Sequence, residues 1–92
     1  MHPYLVPLRA AFHGHAQPAN AAAMRAYMKD RFPFFGIKAP ERRALQQEHV
    51  RLHGMLKLDQ LPVMARSAFA QPERELQYAA VDLLVKHARK LT

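Results

Sequence analysis

The sequence predicts an all-α fold of about five helices, arranged as an α-solenoid of stacked helix pairs. Apolar residues recur at helical spacing, and Pro or Gly stands between the periodic segments and rarely inside them. No run alternates apolar and polar residues for the length of a strand. Helices of this length joined by short turns are the unit of solenoids, although the sequence itself shows no convincing internal repeat.

The first helix is predicted from about Leu5 to His13, with Leu5, Leu8 and Phe12 on one face. Pro7 fits this helix if it lies in the first turn, where a missing N–H does no harm.

The second helix is predicted from near Pro18 to Phe32, because its alanine-rich start has high helix propensity. Its apolar stripe is expected to consist of Met24, Tyr27, Met28 and Arg31. The loop that follows, residues 33–38, is short and unusually apolar. We therefore expect this loop to pack against the core.

The third helix is predicted to open with Pro40 and Glu41, both favoured in a first turn, and to end at Gly54. Its inner side is expected to carry Leu45, His49 and Leu52, followed by Leu56. The fourth helix has Asp59 as its candidate N-cap. Its apolar residues at helical spacing are Leu61, Met64, Ala65, Ala68 and Phe69.

The fifth helix is predicted to start at Pro72, with acidic residues in its first turn and basic residues in its last, as the helix dipole prefers. The acidic residues are Glu73 and Glu75, and the basic residues are Lys86, Arg89 and Lys90. One apolar stripe comprises Leu76, Ala80, Leu83, Leu84 and His87, and a second comprises Tyr78, Val81 and Val85. A helix that is apolar on two sides is usually sandwiched, so we expect one stripe to pack against a segment beyond Thr92.

Composition narrows the possible functions. Fourteen Lys plus Arg against seven Asp plus Glu give a formal net charge of +7. Such an excess favours polyanionic partners, because neutralising phosphates releases counterions, although an acidic membrane surface would attract the same charge. The sequence has no Cys, which excludes disulfides and thiolate chemistry, and no apolar run typical of a secretory signal, so a cytoplasmic location is expected.

The histidines offer a weak metal pattern. His49 and His53 lie four residues apart on one predicted helix face, a spacing that can hold a divalent ion. No third ligand lies near them in sequence, so a histidine pair at the core edge is the simpler interpretation. We predict neither a metal nor a cofactor.

The acidic side chains have structural explanations. Glu41, Glu73 and Glu75 fit first-turn charges, and Asp82 fits an i,i+4 pair with Lys86. The sequence contains no nucleophile triad and no glycine-rich phosphate loop. We therefore predict no catalytic residue within this chain.

A cluster of cations surrounds the predicted start of the third helix. Lys38, Arg42 and Arg43 lie where the helix dipole disfavours positive charge, whereas exposed N–H groups attract an anion. A phosphate bound there would explain the cations. The alternative is that both arginines point to water or pair with Glu41 and Gln46.

Two further residues have open interpretations. Lys29 belongs to a second basic row, which is a phosphate contact or a solvated face. Tyr27 either packs with its hydroxyl at the core edge or contacts a base or sugar.

Two stretches carry a family resemblance. Residues 27–43, YMKDRFPFFGIKAPERR, closely resemble the signature of the AlkD-like DNA alkylation repair family. Residues 72–80, PERELQYAA, with Asp82, Leu83 and Leu84, look like the next block of that family. The opening MHP, followed by Leu8 and Phe12, also fits, so the resemblance covers essentially the whole chain.

The resemblance implies a HEAT-like helical-repeat solenoid whose concave basic surface wraps duplex DNA. Residues 1–92 would be the N-terminal part of a single DNA glycosylase domain, forming the first repeats of a longer array. Members hydrolyse the N-glycosidic bond of positively charged 3- and 7-alkylated purines without flipping the base, unlike most glycosylases. The implied partner is double-stranded DNA containing alkylated purines, bound by a full-length monomer in a bacterial-type cytoplasm, associated with the nucleoid.

The resemblance also implies roles for individual residues. Tyr27 matches the aromatic that lines the lesion cleft. The helix start that approaches the DNA backbone is matched by Lys38, Ala39, Pro40, Arg42 and Arg43, and we add Lys29 as a backbone contact. The family's catalytic Asp and its neighbouring tryptophans belong to a downstream segment. This sequence has no Trp, so we expect that segment beyond Thr92 and this chain alone to be inactive.

Two other classes stay open at the level of sequence. One is a non-catalytic helical-repeat protein that binds DNA structures. A catalytic Asp downstream would argue against this class. The other is a protein-interaction module that uses the exposed end of a helical array.

Overall fold

The computed structural model of the protein describes residues 1–30 and 32–91, with residues 90 and 91 described by their backbone alone. Over these residues the fold is all-α, as predicted, with five α-helices, one 3-10 turn and no strand. The helices are α1 (Leu5–Gly14), α2 (Pro18–Tyr27), α3 (Ala39–His53), α4 (Leu61–Phe69) and α5 (Arg74–Leu91), and the 3-10 turn spans Leu58–Gln60. No helix in the described part is both long and apolar enough to span a bilayer.

The core lies where α4 packs along α5, α1 packs on α3, and α3 packs on α5. Its largest fully buried apolar side chains are Phe12, Leu5, Leu8, Met64 and Leu76. These residues confirm the predicted inner faces of the first, fourth and fifth helices. The loop 33–38 adds Phe35 and Ile37 to the same core, which confirms that this apolar loop is packed and not solvated.

Helix α2 differs from its prediction. It ends at Tyr27, five residues early, because Lys29 and Asp30 both adopt positive φ angles, 57° and 59°. The apolar stripe expected on this helix is not a buried face, since no residue of α2 is buried, and its fourth member, Arg31, lies outside the described residues. An alanine-rich helix has little side-chain surface to bury, so α2 lies at the edge of the fold.

Helix α3 has its predicted ends but a different inner face. Pro40 is in its first turn, and Gly54 ends it with a φ of 75°. The buried residues are Arg42, Gln46 and His49, whereas Leu52 is 61% exposed and its predicted inward position is wrong. The inward stripe is polar because part of it faces a carboxylate on α5.

The entrances to α4 and α5 also differ from prediction. Asp59 does not cap α4, because the chain enters that helix through the 3-10 turn and Gln60 occupies the cap position. Phe69, predicted on the inner face, is half exposed. Helix α5 begins at Arg74, two residues after Pro72, and the backbone N–H of Arg74 donates to the carbonyl of Pro33 at 3.0 Å.

Helix α5 has the two faces that the sequence predicted. Leu76, Ala79, Ala80 and Leu83 are buried, whereas Tyr78, Val81 and Val85 are exposed. Leu84, predicted in the buried stripe, belongs to the exposed face. A row of apolar side chains on α5 is therefore accessible to solvent.

Candidate nucleic-acid interface

The loop 33–38 is held by a buried carboxylate. Glu75, 1% exposed on α5, accepts hydrogen bonds from the backbone N–H groups of Phe35 (3.0 Å), Gly36 (2.9 Å) and Ile37 (3.1 Å). Three donors compensate a buried charge that would otherwise be strongly unfavourable. The sequence pattern indicates only a first-turn charge for Glu75. Its position one helical turn before the buried Ala79 is the signal that could have indicated an inward side chain.

Gly36 brings the opposite side of this loop against α2. Its φ is 92°, and a Cβ there would overlap the carbonyl oxygen of Gln17 and lie 2.7 Å from the amide nitrogen of Ala21. Next to it, the N–H of Gln17 donates to the carbonyl of Phe35 at 2.9 Å. Only glycine fits this close approach of backbones, so the loop is fixed between the start of α2 and Glu75.

The loop leads directly into the start of α3. Lys38 occupies the N-cap position with an exposed side chain, followed by the half-buried Ala39 and the exposed Pro40. Among the described residues, no side chain caps this end of the helix. Helix starts of this kind attract anions through their first N–H groups, as the sequence analysis expected of this segment.

Arg42 and Arg43 are adjacent in sequence but lie in different environments. Arg43 is exposed, whereas Arg42 is 7% exposed, and its Nη1 donates to Asp82 Oδ2 (2.7 Å) and to Gln46 Oε1 (2.6 Å). The alternative pairing of Arg42 with Gln46 is thus present. The predicted pair of Asp82 with Lys86 is wrong, because Asp82 turns instead to Arg42 and Gln46 on α3.

This network changes the charge of the site. Burial raises the pKa of Asp82, but hydrogen bonds from Gln46 and Arg42 and the nearby charges of Arg42 and Arg43 outweigh it, so the pKa is lowered. Asp82 is therefore an anion that balances Arg42. The guanidinium of Arg42 holds α3 against α5 and is not presented to solvent, unlike that of Arg43.

A cleft of about 390 Å³, here called the tyrosine cleft, opens between α2, the loop, α3 and α5. It is lined by Ala23, Met24, Tyr27, Met28, Phe34, Ile37, Ala39, Arg42, Glu75 and Tyr78. The Tyr27 side chain is 87% exposed, so the alternative of packing at the core edge is wrong. The structure thus brings together Tyr27, Ala39 and Arg42, three of the residues that the resemblance singled out.

A second aromatic of this cleft, Tyr78, is not among the residues singled out from the sequence. Two guanidinium groups lie near its ring, those of Arg42 and Arg74, 5.4 and 5.6 Å from its centroid. Arg74 also lies over the ring of Phe32, at 4.1 Å. Such contacts hold an aromatic and its cations in a fixed arrangement. Arg74 lies one helical turn before Tyr78 on α5, whereas Arg42 comes from α3 and Phe32 from the segment before the loop, so no local motif marks the whole arrangement.

Lys29 lies apart from the other predicted phosphate contacts. It is exposed in the turn after α2 and lines a separate shallow depression of about 220 Å³ with Tyr27, Met28 and Phe32. Lys29 is therefore near Tyr27 but is not part of the cationic start of α3.

The two spaced histidines form a core-edge pair. The rings of His49 and His53 are 4.8 Å apart, and His49 meets the ring of Tyr4 edge-on at 4.6 Å. Burial, followed by the charge of His53, lowers the pKa of His49. Within the described part of the chain, no three metal-ligating side chains gather at one point.

The fold and this site define the protein first as an all-helical chain with short, paired helices. The sequence matches, over residues 8–92, the family described as DNA alkylation repair enzyme. A comparison with individual curated proteins gave no match. Because the family match spans nearly the whole sequence, the chain belongs to the DNA alkylation repair enzyme family, whose description names DNA as the substrate.

Proposed function

We propose that the full-length protein is a DNA glycosylase that excises positively charged 3- and 7-alkylated purines from duplex DNA without flipping the base. In this proposal, residues 1–92 bind the duplex and supply one aromatic beside the lesion. Family membership supports the DNA repair role. The observation that carries the role of this chain is Tyr27, an 87% exposed aromatic that borders an apolar cleft shared with the start of α3.

The proposed reaction requires few catalytic groups from residues 1–92. Alkylation gives the purine a positive charge and makes it a good leaving group, so the enzyme has to stabilise the developing oxocarbenium ion and position water. Four of the seven acidic side chains have structural partners: Glu75 binds the loop, Asp82 binds Arg42, Glu73 binds Arg9, and Glu48 binds Arg51. In this proposal the catalytic Asp belongs to a segment beyond Thr92, as the family resemblance implies.

Binding of the DNA backbone is assigned to the start of α3. Lys38 is exposed there beside backbone N–H groups that no side chain caps, and Arg43 is exposed further along α3, so the two cations would contact different phosphates. Arg42 acts as a positioning residue, because its guanidinium is bound to Asp82. Glu75 and Gly36 hold the preceding loop in place, so little ordering is needed when DNA binds.

The test of the chemistry is base release from duplex DNA that carries 7-methylguanine or 3-methyladenine, using the full-length protein. We expect free methylated base and an abasic strand. A folded protein that binds duplex DNA but releases no base would overturn the glycosylase proposal in favour of a non-catalytic DNA-structure binder.

The assignment of DNA-backbone binding to α3 is tested with Lys38→Ala plus Arg43→Ala in the full-length protein. The slope of log affinity against log salt should become shallower by about 2, since each phosphate contact contributes roughly 1. Lys57→Ala plus Arg66→Ala is the matched control, because it removes two exposed cations from elsewhere on the surface. The same slope and affinity in both double variants would reject this assignment.

A further inference from the structure

A second cationic groove lies between α3 and α5. It encloses about 500 Å³, and each helix contributes residues spaced i, i+3, i+4 and i+7, which is one helical face. Helix α3 contributes Arg43, Gln46, Gln47 and Val50, and helix α5 contributes Asp82, Val85, Lys86 and Arg89 together with Leu83. Cations therefore border the groove on both sides, each helix adds one valine, and the two amides come from α3.

The charge of this groove is positive. Its carboxylate, Asp82, already accepts hydrogen bonds from Arg42 and Gln46, and Arg42 balances its charge. Three further cations line the groove, and two of them, Arg43 and Lys86, make no hydrogen bond or close ion pair with another described residue. Exposed cations that line one groove without a hydrogen-bonded carboxylate, as Arg43 and Lys86 do, favour an anionic ligand.

We propose that this groove is a second phosphate subsite, which holds the sugar–phosphate backbone of duplex DNA against α5. Lys86 and Arg89, three residues apart, lie on the same side of α5, and Arg43 faces them from α3. The amide of Gln47 adds a hydrogen-bond donor. From the sequence, Lys86 and Arg89 are explained only as cations at a helix C-terminus.

The groove is close to the start of α3 but lies on another face of that helix. Arg43 follows Lys38 by five residues, which is about 7.5 Å along the helix axis and about 140° around it. The groove is therefore a separate contact surface from the one at Lys38. The proposal rests on the DNA-binding part of the proposed function and is independent of base excision.

The test measures binding of a short unmodified DNA duplex to the full-length protein over a range of salt concentrations. Lys86→Gln plus Arg89→Gln should weaken binding several-fold at low salt and make the salt slope shallower by about 1 to 2. The matched control, Lys57→Gln plus Arg66→Gln, removes the same charge outside the groove and should change the slope less. Lys86→Gln alone, at an exposed helix position, should give part of the effect without a change in unfolding.

Each outcome bears on one claim. A slope in the groove variant equal to that of the control would overturn the subsite, even if base release by the unaltered protein is observed. A shallower slope in a protein that releases no base would support the subsite and reject the glycosylase. Equal affinity for duplex RNA, with the same loss in the groove variant, would overturn duplex DNA as the occupant.

Discussion

Arg42 and Asp82 join α3 to α5 through a contact of 2.7 Å in which the two partners are unequally exposed. The side chain of Arg42 is 8% exposed, whereas that of Asp82 is 41% exposed. Water can solvate the carboxylate if its partner is removed, but it cannot reach the guanidinium. The consequence of breaking the pair therefore depends on which residue is changed.

Asp82→Ala should lower the free energy of unfolding by about 1 to 3 kcal/mol, because it leaves a buried guanidinium without its anion. Arg42→Met should have a smaller effect, since a hydrophobic side chain replaces the buried charge and the exposed carboxylate returns to water. Urea denaturation of both variants measures the difference. The control is Glu48→Gln, which breaks an exposed pair with Arg51 and should leave stability unchanged. A larger loss for Arg42→Met than for Asp82→Ala would contradict the proposed asymmetry.

His49 should make stability depend on pH near neutrality. Burial, followed by the charge of His53, lowers its pKa below the ordinary 6.5, so protonation favours the unfolded chain. Its contribution to stability is therefore complete above about pH 6.5 and is lost as the pH falls through the folded-state pKa. His49→Leu should flatten the loss of unfolding free energy between about pH 7.5 and 5.5.

Urea titrations at several pH values check this expectation. Leu52→Ala, which truncates an exposed side chain that carries no titratable group, should keep the pH profile of the unaltered protein. An unchanged slope in His49→Leu would show that another group is responsible for the pH dependence.

Much of the fold could be predicted from the sequence because the signals are local. The spacing of Leu5, Leu8 and Phe12 specifies a helix with one buried face, and the apolar loop before Lys38 indicates a packed connection. The end of α2 was missed for a physical reason. Lys29 and Asp30 adopt left-handed conformations that glycine usually supplies, so no residue type marked the stop.

The site was less predictable because its contacts are distant in sequence. Arg42 and Arg43 are chemically identical, and only the position of Asp82, forty residues later, separates a buried positioning residue from an exposed cation. The role of Glu75 likewise depends on a loop about forty residues earlier. The exposure of Tyr27 follows from the early end of α2 and its position at the edge, neither of which a periodicity predicts.

Glu75→Ala should be among the most destabilising single changes in the chain. It removes the acceptor of three backbone N–H groups in the loop 33–38, and buried donors without partners cost about 1 to 3 kcal/mol each. Glu75→Gln keeps one acceptor oxygen and should be milder. Hydrogen exchange at Phe35, Gly36 and Ile37 should accelerate in both variants, most of all in Glu75→Ala. Protection of these amides at the original level would show that the carboxylate does not hold the loop.

Gly36→Ala tests the contact between the loop and α2. The added Cβ would collide with backbone atoms of Gln17 and Ala21, and a φ of 92° is a strained backbone conformation for alanine. We expect a loss of about 2 to 4 kcal/mol in unfolding free energy, as for other substitutions that combine a clash with backbone strain. Gly14→Ala is the matched control, because a Cβ there meets nothing within 4 Å and the residue is helical. It should be neutral or stabilise the protein by up to about 1 kcal/mol. Similar stabilities for the two variants would contradict the close approach.

Substitution of Tyr27 should affect activity but not the free energy of unfolding. Because its side chain is 87% exposed, Tyr27→Ala should change the free energy of unfolding by no more than about 0.5 kcal/mol. If the ring contacts a base or sugar beside the lesion, the same change should lower kcat/KM for release of methylated bases by about 5- to 100-fold. Tyr27→Phe should retain most of the activity if stacking matters more than the hydroxyl. The control is Leu52→Ala, which truncates an exposed apolar residue outside the tyrosine cleft and should leave activity intact. Full activity in a stable Tyr27→Ala protein would remove Tyr27 from the site and leave the cationic surfaces of α3 and α5 as the contribution of this chain to DNA binding.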